Sequence, residues 1–277
     1  MPSILILILL KGYPLILNLW LSLTTKHAFL KAYEFVYLSN YASLFRDPLF
    51  WNSLRNSVIY TSSTTGLQLL AGIGAAVMLN QAFVGRSIVR SLFLFPYVIP
   101  TVVGAIVWKW MLNDVYGIIN YLLMDWRIIQ SPILITRSPW GAMIAVILLA
   151  TWKYFPFVTL CVLARLQSIP RDLYAAAKVD GASTWKQFIY ITLPQLKGIL
   201  YVIIILRTMW MFNEFATIYL MTGGGPLGST ETLPISIYRK AFELFETGGA
   251  AAIGTISLLL LLVFYTVYKR IHKTSEA

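Results

Sequence analysis

Long apolar runs alternate along the chain with shorter stretches that carry most of the charged residues. A hydrocarbon core about 30 Å thick needs roughly 20 apolar residues in a helix. The runs have that length, and they are continuous, whereas the strands of a membrane barrel would alternate. The pattern therefore predicts an all-α transmembrane protein with six spans, at Ile4–Leu23, Ser57–Leu79, Ile88–Met111, Trp140–Ala164, Ile199–Met221 and Ala250–Tyr268.

Composition supports a multi-pass protein of the cell membrane. The 277 residues are 58% hydrophobic and 12% charged, and the mean hydropathy is +0.72. An ordinary globular chain is about 45–50% apolar and about 25% charged. A soluble domain is therefore excluded, and membrane lipid is the expected surrounding.

The distribution of basic residues predicts the orientation. Lys and Arg are dense in Asn80–Ser87, Arg165–Gly198 and Lys269–Ala277, whereas acidic residues offset them in the alternate loops. Because short loops rich in Lys and Arg stay on the cytoplasmic side, both termini and the 165–198 segment are predicted to be cytoplasmic. The basic residues of the cytoplasmic loops then account for the net charge of +11, which does not require a nucleic-acid partner.

The sequence offers little for catalysis or metal binding. It contains no G-x-x-x-x-G-K-[ST] phosphate loop, and its richest glycine run, TGGGPLGST at Thr222–Thr230, reads as an external loop. His27 and His272 are the only histidines, and Cys161 is the only cysteine. We therefore predict no enzyme activity, no metal site and no cofactor in this chain, with any ATP and Mg²⁺ bound by a separate ATPase.

Polar and aromatic residues inside the predicted spans form a candidate substrate pathway. Aromatic faces beside amide or carboxylate groups suit a sugar, whose hydroxyls need hydrogen bonds once they leave water. The candidates are Trp152, Lys153, Trp210, Asn213 and Glu214. Two alternatives stay open: hydrogen bonds between helices, and an ion-coupled secondary transporter that uses Glu214, Lys153 or Arg207. The second usually has duplicated halves, which this sequence lacks.

Prolines inside the spans mark candidate kinks. Breaks in a membrane helix are tolerated where protein or a cavity lines the freed backbone. Pro96 and Pro100 in the third span, and Pro156 in the fourth, are therefore candidate gate positions, and a purely structural kink explains them equally well.

The cytoplasmic segment between the fourth and fifth spans predicts two short helices. Ser168 and Pro170 are typical of a helix start, and the helix is expected to end near Val179, with Gly181 in the left-handed conformation. Ser183 can cap a second helix, which Pro194 should end near Thr192. Such a pair suits docking of another protein, and an amphipathic helix on the lipid headgroups is the alternative.

This segment, AAAKVDGASTWKQFIYITLPQL, resembles the cytoplasmic EAA loop of integral-membrane permease subunits of ABC importers. The stretches LSNYASLFRDPLFWNSLRNSVIYT, FPYVIPTVVGAIVWKWM and IYLMTGGGPLGSTETLPISIYRKAF resemble the carbohydrate-uptake branch, on the side of the maltose and glycerol-3-phosphate permeases. The last element resembles one of the two permease partners in such systems and not the other.

The resemblance implies a six-helix type I importer fold in one permease domain over residues 1–277, with its core at about 52–270 and a coupling loop at about 165–198. It implies ATP-driven alternating access for a sugar, oligosaccharide or polyol phosphate. The implied partners are a second permease in a heterodimer, two cytosolic ATPases and an extracytoplasmic solute-binding protein.

The resemblance also implies which residues contact the ATPase. Two positions depart from the family pattern: Ala175 stands where a glutamate is usual, and Gly198 replaces a proline. Coupling through a carboxylate at 175 is therefore excluded, with Asp172 the nearest acidic residue before it. The implied coupling residues are Asp172, Leu173, Ala175, Ala176, Ala177, Asp180, Gly181, Ala182, Ser183 and Phe188.

Overall fold

The computed structural model describes residues 8–25 and 34–276. Apart from one antiparallel bridge between Thr24 and Phe35, the regular structure of these residues is helical. After a π-helical turn at Ile8–Gly12, the helices are α1 Tyr13–Ser22, α2 Ser39–Arg46, α3 Pro48–Asn80, α4 Arg86–Val98, α5 Thr101–Met111, α6 Ile118–Asp125, α7 Pro139–Gln167, α8 Arg171–Val179, α9 Thr184–Phe212, α10 Ala216–Thr222, α11 Leu233–Tyr238 and α12 Thr247–Glu276.

Four of these helices, α3, α7, α9 and α12, are long and apolar enough to cross a membrane. Helices α4 and α5 qualify together as a fifth span that bends by 94°. The second, fourth and sixth predicted spans each lie within one uninterrupted helix. The first predicted span begins at Ile4, and its residues 4–7 lie outside the described part of the chain.

The third predicted span is not the continuous helix that the hydropathy pattern indicated. Helix α4 ends at Val98, and α5 begins at Thr101. Ile99 is extended, with φ −61° and ψ 131°, because the residue before a proline is disfavoured in the helical region. Pro100 is therefore the site of the break, whereas Pro96 lies inside α4 and Pro156 inside α7, both without interrupting the helix.

The predicted bounds of the fifth span, Ile199 and Met221, were also wrong at both ends. At its C-terminal end, α9 stops at Phe212 and a new helix starts at Ala216. The Glu214 carboxylate accepts hydrogen bonds from the Thr217 N–H (2.9 Å) and hydroxyl (2.8 Å). A side chain that satisfies the first N–H groups of a helix favours a start there.

At its N-terminal end, α9 already begins at Thr184 and runs through Pro194, which was expected to end a helix. A π-helical turn at Phe188–Thr192 lies directly before that proline. Such a widened turn re-satisfies backbone groups that the proline ring displaces. The predicted second cytoplasmic helix is therefore the N-terminal part of α9, from Thr184 to Thr192.

The chain divides into two compact units, one of Met1–Ile59, Arg137–Ala142 and Asn213–Ala277, the other of Tyr60–Thr136 and Met143–Phe212. In the second unit, buried aliphatic residues of α3, α7 and α9 form one core around Ala76, Val158 and Leu196. Gly72 permits the close approach of α3 to α7, since a Cβ there would lie 2.5 Å from Val158 Cβ. Small residues at such contacts are typical of membrane helices.

In the first unit, α1 packs against α12. The Asn18 amide donates to the Ala251 carbonyl (3.3 Å) and the Thr255 hydroxyl (3.1 Å). A Cβ on Gly248 would lie 2.1 Å from the Thr24 carbonyl oxygen, so the start of α12 also requires a glycine. These contacts fix α1 and α12 against each other.

Candidate functional site

Helix α8 and the turn after it match the sequence prediction closely. The helix ends at Val179, and Gly181 has φ +75°. The Ala182 N–H donates to the Ala177 carbonyl (2.8 Å) and the Gly181 N–H to the Lys178 carbonyl (3.0 Å), which is the Schellman pattern of a helix C-terminus. The turn is therefore fixed by backbone hydrogen bonds.

The next helix begins as expected, because the Ser183 hydroxyl accepts a hydrogen bond from the Lys186 N–H (3.4 Å). The predicted role of Ser168 was wrong. Its hydroxyl donates to the Arg165 carbonyl (2.8 Å) and accepts from Arg165 Nη1 (3.1 Å). Ser168 thus closes the end of α7, and Pro170 directly precedes α8.

Three sets of side-chain contacts that the sequence did not predict hold the loop in place. The hydroxyls of Tyr174 and Thr192 lie 2.9 Å apart, which ties α8 to α9. The Gln187 amide donates to the Ala182 carbonyl (2.9 Å), and Arg165 donates to the backbone and side-chain oxygens of Gln195 (3.0 Å each). The two partners in each of these contacts lie 5 to 30 residues apart in sequence, so no short sequence motif predicts them.

The same fixed loop exposes an apolar surface. Val179 is 88% exposed and Trp185 is 69% exposed, and Trp185 stacks on Phe188 with ring centroids 5.8 Å apart. Of the predicted coupling residues, Ala177, Ala182 and Phe188 are half-buried, whereas the others are exposed: Asp172, Leu173, Ala175, Ala176, Asp180, Gly181 and Ser183. Exposed apolar side chains on a rigid polar loop are typical of a protein-binding site.

The intramembrane candidates fall into both compact units. Trp152, Lys153 and Trp210 belong to the second unit, and Asn213 and Glu214 to the first. Lys153 is 4% exposed, and its ammonium donates to the Ile99 carbonyl (2.5 Å). Trp152 packs against Trp108 of α5, with ring centroids 5.7 Å apart. Lys153 therefore contacts the backbone at the helix break.

The sequence pointed to Arg207 and Trp210 but not to Tyr154 and Phe157, which complete an aromatic group around Arg207 in the second unit. Its guanidinium carbon lies 4.9 Å from the ring centre of Tyr154, 5.9 Å from Phe157 and 5.4 Å from Trp210. Arg207 is 1% exposed, and its Nε donates to the Gln68 side-chain oxygen (2.7 Å). Aromatic faces stabilise a buried cation. Trp210 also packs against Phe157 with ring centroids 5.2 Å apart, and it remains 44% exposed.

The predicted glycine-rich external loop is held against the start of α3. The amides of Asn52 and Asn56 both donate to the Gly228 carbonyl (2.8 and 2.9 Å), and the Ser57 hydroxyl accepts from the Leu233 N–H (2.8 Å). Below the loop, Glu231 pairs with Arg239. Burial raises the pKa of the Glu231 carboxyl above its ordinary value, although the Arg239 charge opposes that rise.

No group of three His, Cys, Asp or Glu side chains is arranged as metal ligands among residues 8–25 and 34–276.

Comparison with known proteins identifies the family. The sequence profile of the family described as "Binding-protein-dependent transport system inner membrane component" matches residues 68–275. The chain belongs to this family. The permease is thus an integral inner-membrane transport subunit of the ABC transporter class.

Two relatives match nearly the whole permease. It is 36% identical over 258 residues to the trehalose/maltose transport system permease protein MalF of Thermococcus litoralis, covering 93% of this chain and 86% of the relative. It is 35% identical over 268 residues to the inner membrane ABC transporter permease protein YcjO of Escherichia coli, covering 94% and 88%.

A solved structure confirms the class of fold. The permease aligns with a TM-score of 0.83, at 23% identity, with a chain from a bacterial ABC transporter that imports the acidic polysaccharide alginate. The alignment covers 98% of this chain and 93% of the other. The predicted all-α, type I importer permease fold is therefore confirmed.

Proposed function

We propose that the permease carries a sugar, an oligosaccharide or a related polyol, including phosphorylated polyols, across the cytoplasmic membrane by ATP-driven alternating access. The observation that carries the proposal is its similarity, at 35–36% identity over most of the chain, to proteins named for trehalose/maltose and sulfoquinovosyl glycerol transport. The aromatic residues around Arg207, which are Tyr154, Phe157 and Trp210, supply the stacking faces that sugar rings require.

In this proposal a separate ATPase docks on the loop from Arg165 to Gly198. The rigid turn at Gly181 and the exposed side chains of Val179 and Trp185 support this role, because a push on a rigid loop moves α7 and α9 without being absorbed locally. Nucleotide binding to the ATPase would then bias two states of the spans. Both termini lie in the cytosol, as the basic loops predict.

The proposed complex holds a second, different permease subunit, two cytosolic ATPases that bind ATP and Mg²⁺, and an extracytoplasmic solute-binding protein. One solved structure of the same fold is a bacterial alginate ABC transporter in complex with an alginate pentasaccharide-bound periplasmic protein, which supports the last partner. Ion-coupled transport is a weaker alternative because the side chains of Glu214, Lys153 and Arg207 each form hydrogen bonds with other groups of the protein.

Reconstitution into liposomes tests the proposal. The permease is purified with the subunits that accompany it, and uptake of radiolabelled maltose, trehalose and glycerol phosphate is measured with and without internal ATP. We expect uptake of at least one of these solutes only with ATP and the binding protein. Uptake driven by a proton or sodium gradient without ATP would contradict the proposal, as would ATP-dependent uptake restricted to amino acids.

A further inference from the structure

The break between α4 and α5 leaves backbone carbonyls without helical partners in the middle of a span. A helix ends with four carbonyl groups that lack intrahelical donors, and in the hydrocarbon region no bulk water replaces those donors. At this break, Lys153 of α7 donates to the Ile99 carbonyl, the cap of α4. The lysine thus supplies a charged donor where the membrane supplies none.

The contact is also favourable electrostatically. The carbonyl end of a helix carries partial negative charge, which stabilises a cation, and a hydrogen bond from an ammonium is stronger than one between neutral groups. The Lys153 ammonium lies 5.5 Å from the ring centre of Tyr154 as well. Burial of a lysine in a span is costly unless such partners are present. The Ile99 carbonyl and the Tyr154 ring together stabilise the Lys153 ammonium at the break.

Neighbours of Lys153 on α7 contact both arms of the bent pair. Phe155 packs against Phe93 of α4 with ring centroids 6.1 Å apart. On the other arm, a Cβ at Gly104 of α5 would lie 3.7 Å from the Trp152 ring, so this ring approaches the α5 backbone closely. The consecutive residues 152 to 155 therefore hold α4, the break and α5 together.

We propose that Lys153 is a positioning residue that fixes the angle between α4 and α5, so that these helices and α7 move as one body during transport. The sequence placed Lys153 in the candidate substrate pathway. In this proposal its ammonium instead binds the Ile99 carbonyl. The bent pair then keeps its shape while the ATPase changes the conformation of the spans.

Distance measurements between spin labels test the proposal without any knowledge of the solute. Labels are placed at the exposed positions 91 on α4 and 106 on α5 as Ser91→Cys and Ile106→Cys in a Cys161→Ala background, in the assembled transporter in lipid. We expect a narrow distance distribution in the parent protein, a clearly broader one with Lys153→Met, and a narrow one again with Lys153→Arg, which keeps the cation.

Lys109→Met is the matched control, because it removes the same charge from an exposed position on α5 and should leave the distribution narrow. A distribution as narrow in Lys153→Met as in the parent would overturn the proposal. Should Lys153→Met fail to accumulate, Lys153→Gln replaces it, since the shorter neutral amide should also broaden the distribution; an unchanged width there would overturn the proposal equally.

Uptake kinetics add a second readout, which rests on the proposed function. Loss of a charged hydrogen bond should lower the maximal uptake rate about tenfold or more, with the KM for the loaded binding protein unchanged and the rate largely restored by Lys153→Arg. A raised KM with an unchanged maximal rate would instead place Lys153 in contact with the solute. Failure of uptake in every variant, with the distance results as expected, would count against the solute class alone.

Discussion

The residue at which the coupling loop turns has a backbone conformation that few residues adopt. Gly181 has φ +75°, and a Cβ built on it would meet nothing within 4 Å. Any cost of substitution therefore comes from the backbone and not from a clash. Left-handed backbone costs an L-residue about 1–2 kcal/mol, and asparagine tolerates it better than branched residues do.

We therefore expect Gly181→Val to reduce the amount of ATPase that co-purifies with the permease and to reduce ATP-dependent uptake. Gly181→Asn is the matched control, since asparagine also adds a side chain to the open space but accepts positive φ. The two variants are compared at equal membrane expression. Wild-type uptake in the valine variant would show that the turn geometry does not matter for coupling.

A second prediction at this scale concerns Glu231, which follows the glycine-rich loop and whose pKa is raised by burial. The folded protein holds the proton more tightly than the unfolded chain, so the contribution of this group to stability is present below its ordinary pKa and is lost as the pH rises through the raised one. Glu231→Gln, which stays neutral, should therefore become more stable relative to wild type as the pH rises.

Melting temperatures of the purified permease and the Gln variant, measured in the same detergent over the range from pH 4 to about 8, check the sign. Glu243→Gln removes an exposed carboxylate that lies 3.5 Å from the same Arg239 and controls for the lost charge. The opposite trend, with wild type gaining on Glu231→Gln as the pH rises, would mean that the Arg239 pair outweighs burial.

At the scale of the element, local sequence predicted helix α8 well and the spans less well. Three features were predicted correctly: the end of α8 at Val179, the turn at Gly181 and the cap at Ser183. Each depends on residues within a few positions of one another, so the amino-acid types in this short stretch were sufficient to predict them. The coupling and pathway roles of the individual residues stay predictions, because they concern partners and solute.

The two broken spans depend on contacts that a hydropathy pattern does not contain. The break at Ile99 is satisfied by Lys153, 54 residues later. Hydropathy alone reads Asn213 and Glu214 as two polar residues within an apolar run, whereas the Glu214 carboxylate starts a new helix. Conversely, Pro194 suggested a helix end, but the π-helical turn before it lets α9 continue.

At the scale of the whole molecule, the permease combines lipid-facing helices with a rigid, polar loop at Arg165–Gly198 that exposes apolar side chains. In the membrane-facing helices exposed apolar residues are expected. Exposed apolar residues on a predicted cytoplasmic loop point to a partner where backbone hydrogen bonds also fix the loop. Val179 and Trp185 are such residues, and they lie beside the Schellman turn. We therefore predict that this surface contacts another subunit of the transporter.

Substitution of Val179 tests whether this surface is buried on assembly. Full burial of a valine side chain stabilises by about 1.5–3 kcal/mol, so Val179→Ser should weaken ATPase binding about tenfold or more. Val84→Ser is the matched control, because Val84 is also fully exposed and lies in the other basic loop predicted to face the cytosol. ATPase titration of the reconstituted permease measures both affinities, and equal binding by the two variants would place the ATPase contact elsewhere on the cytoplasmic face.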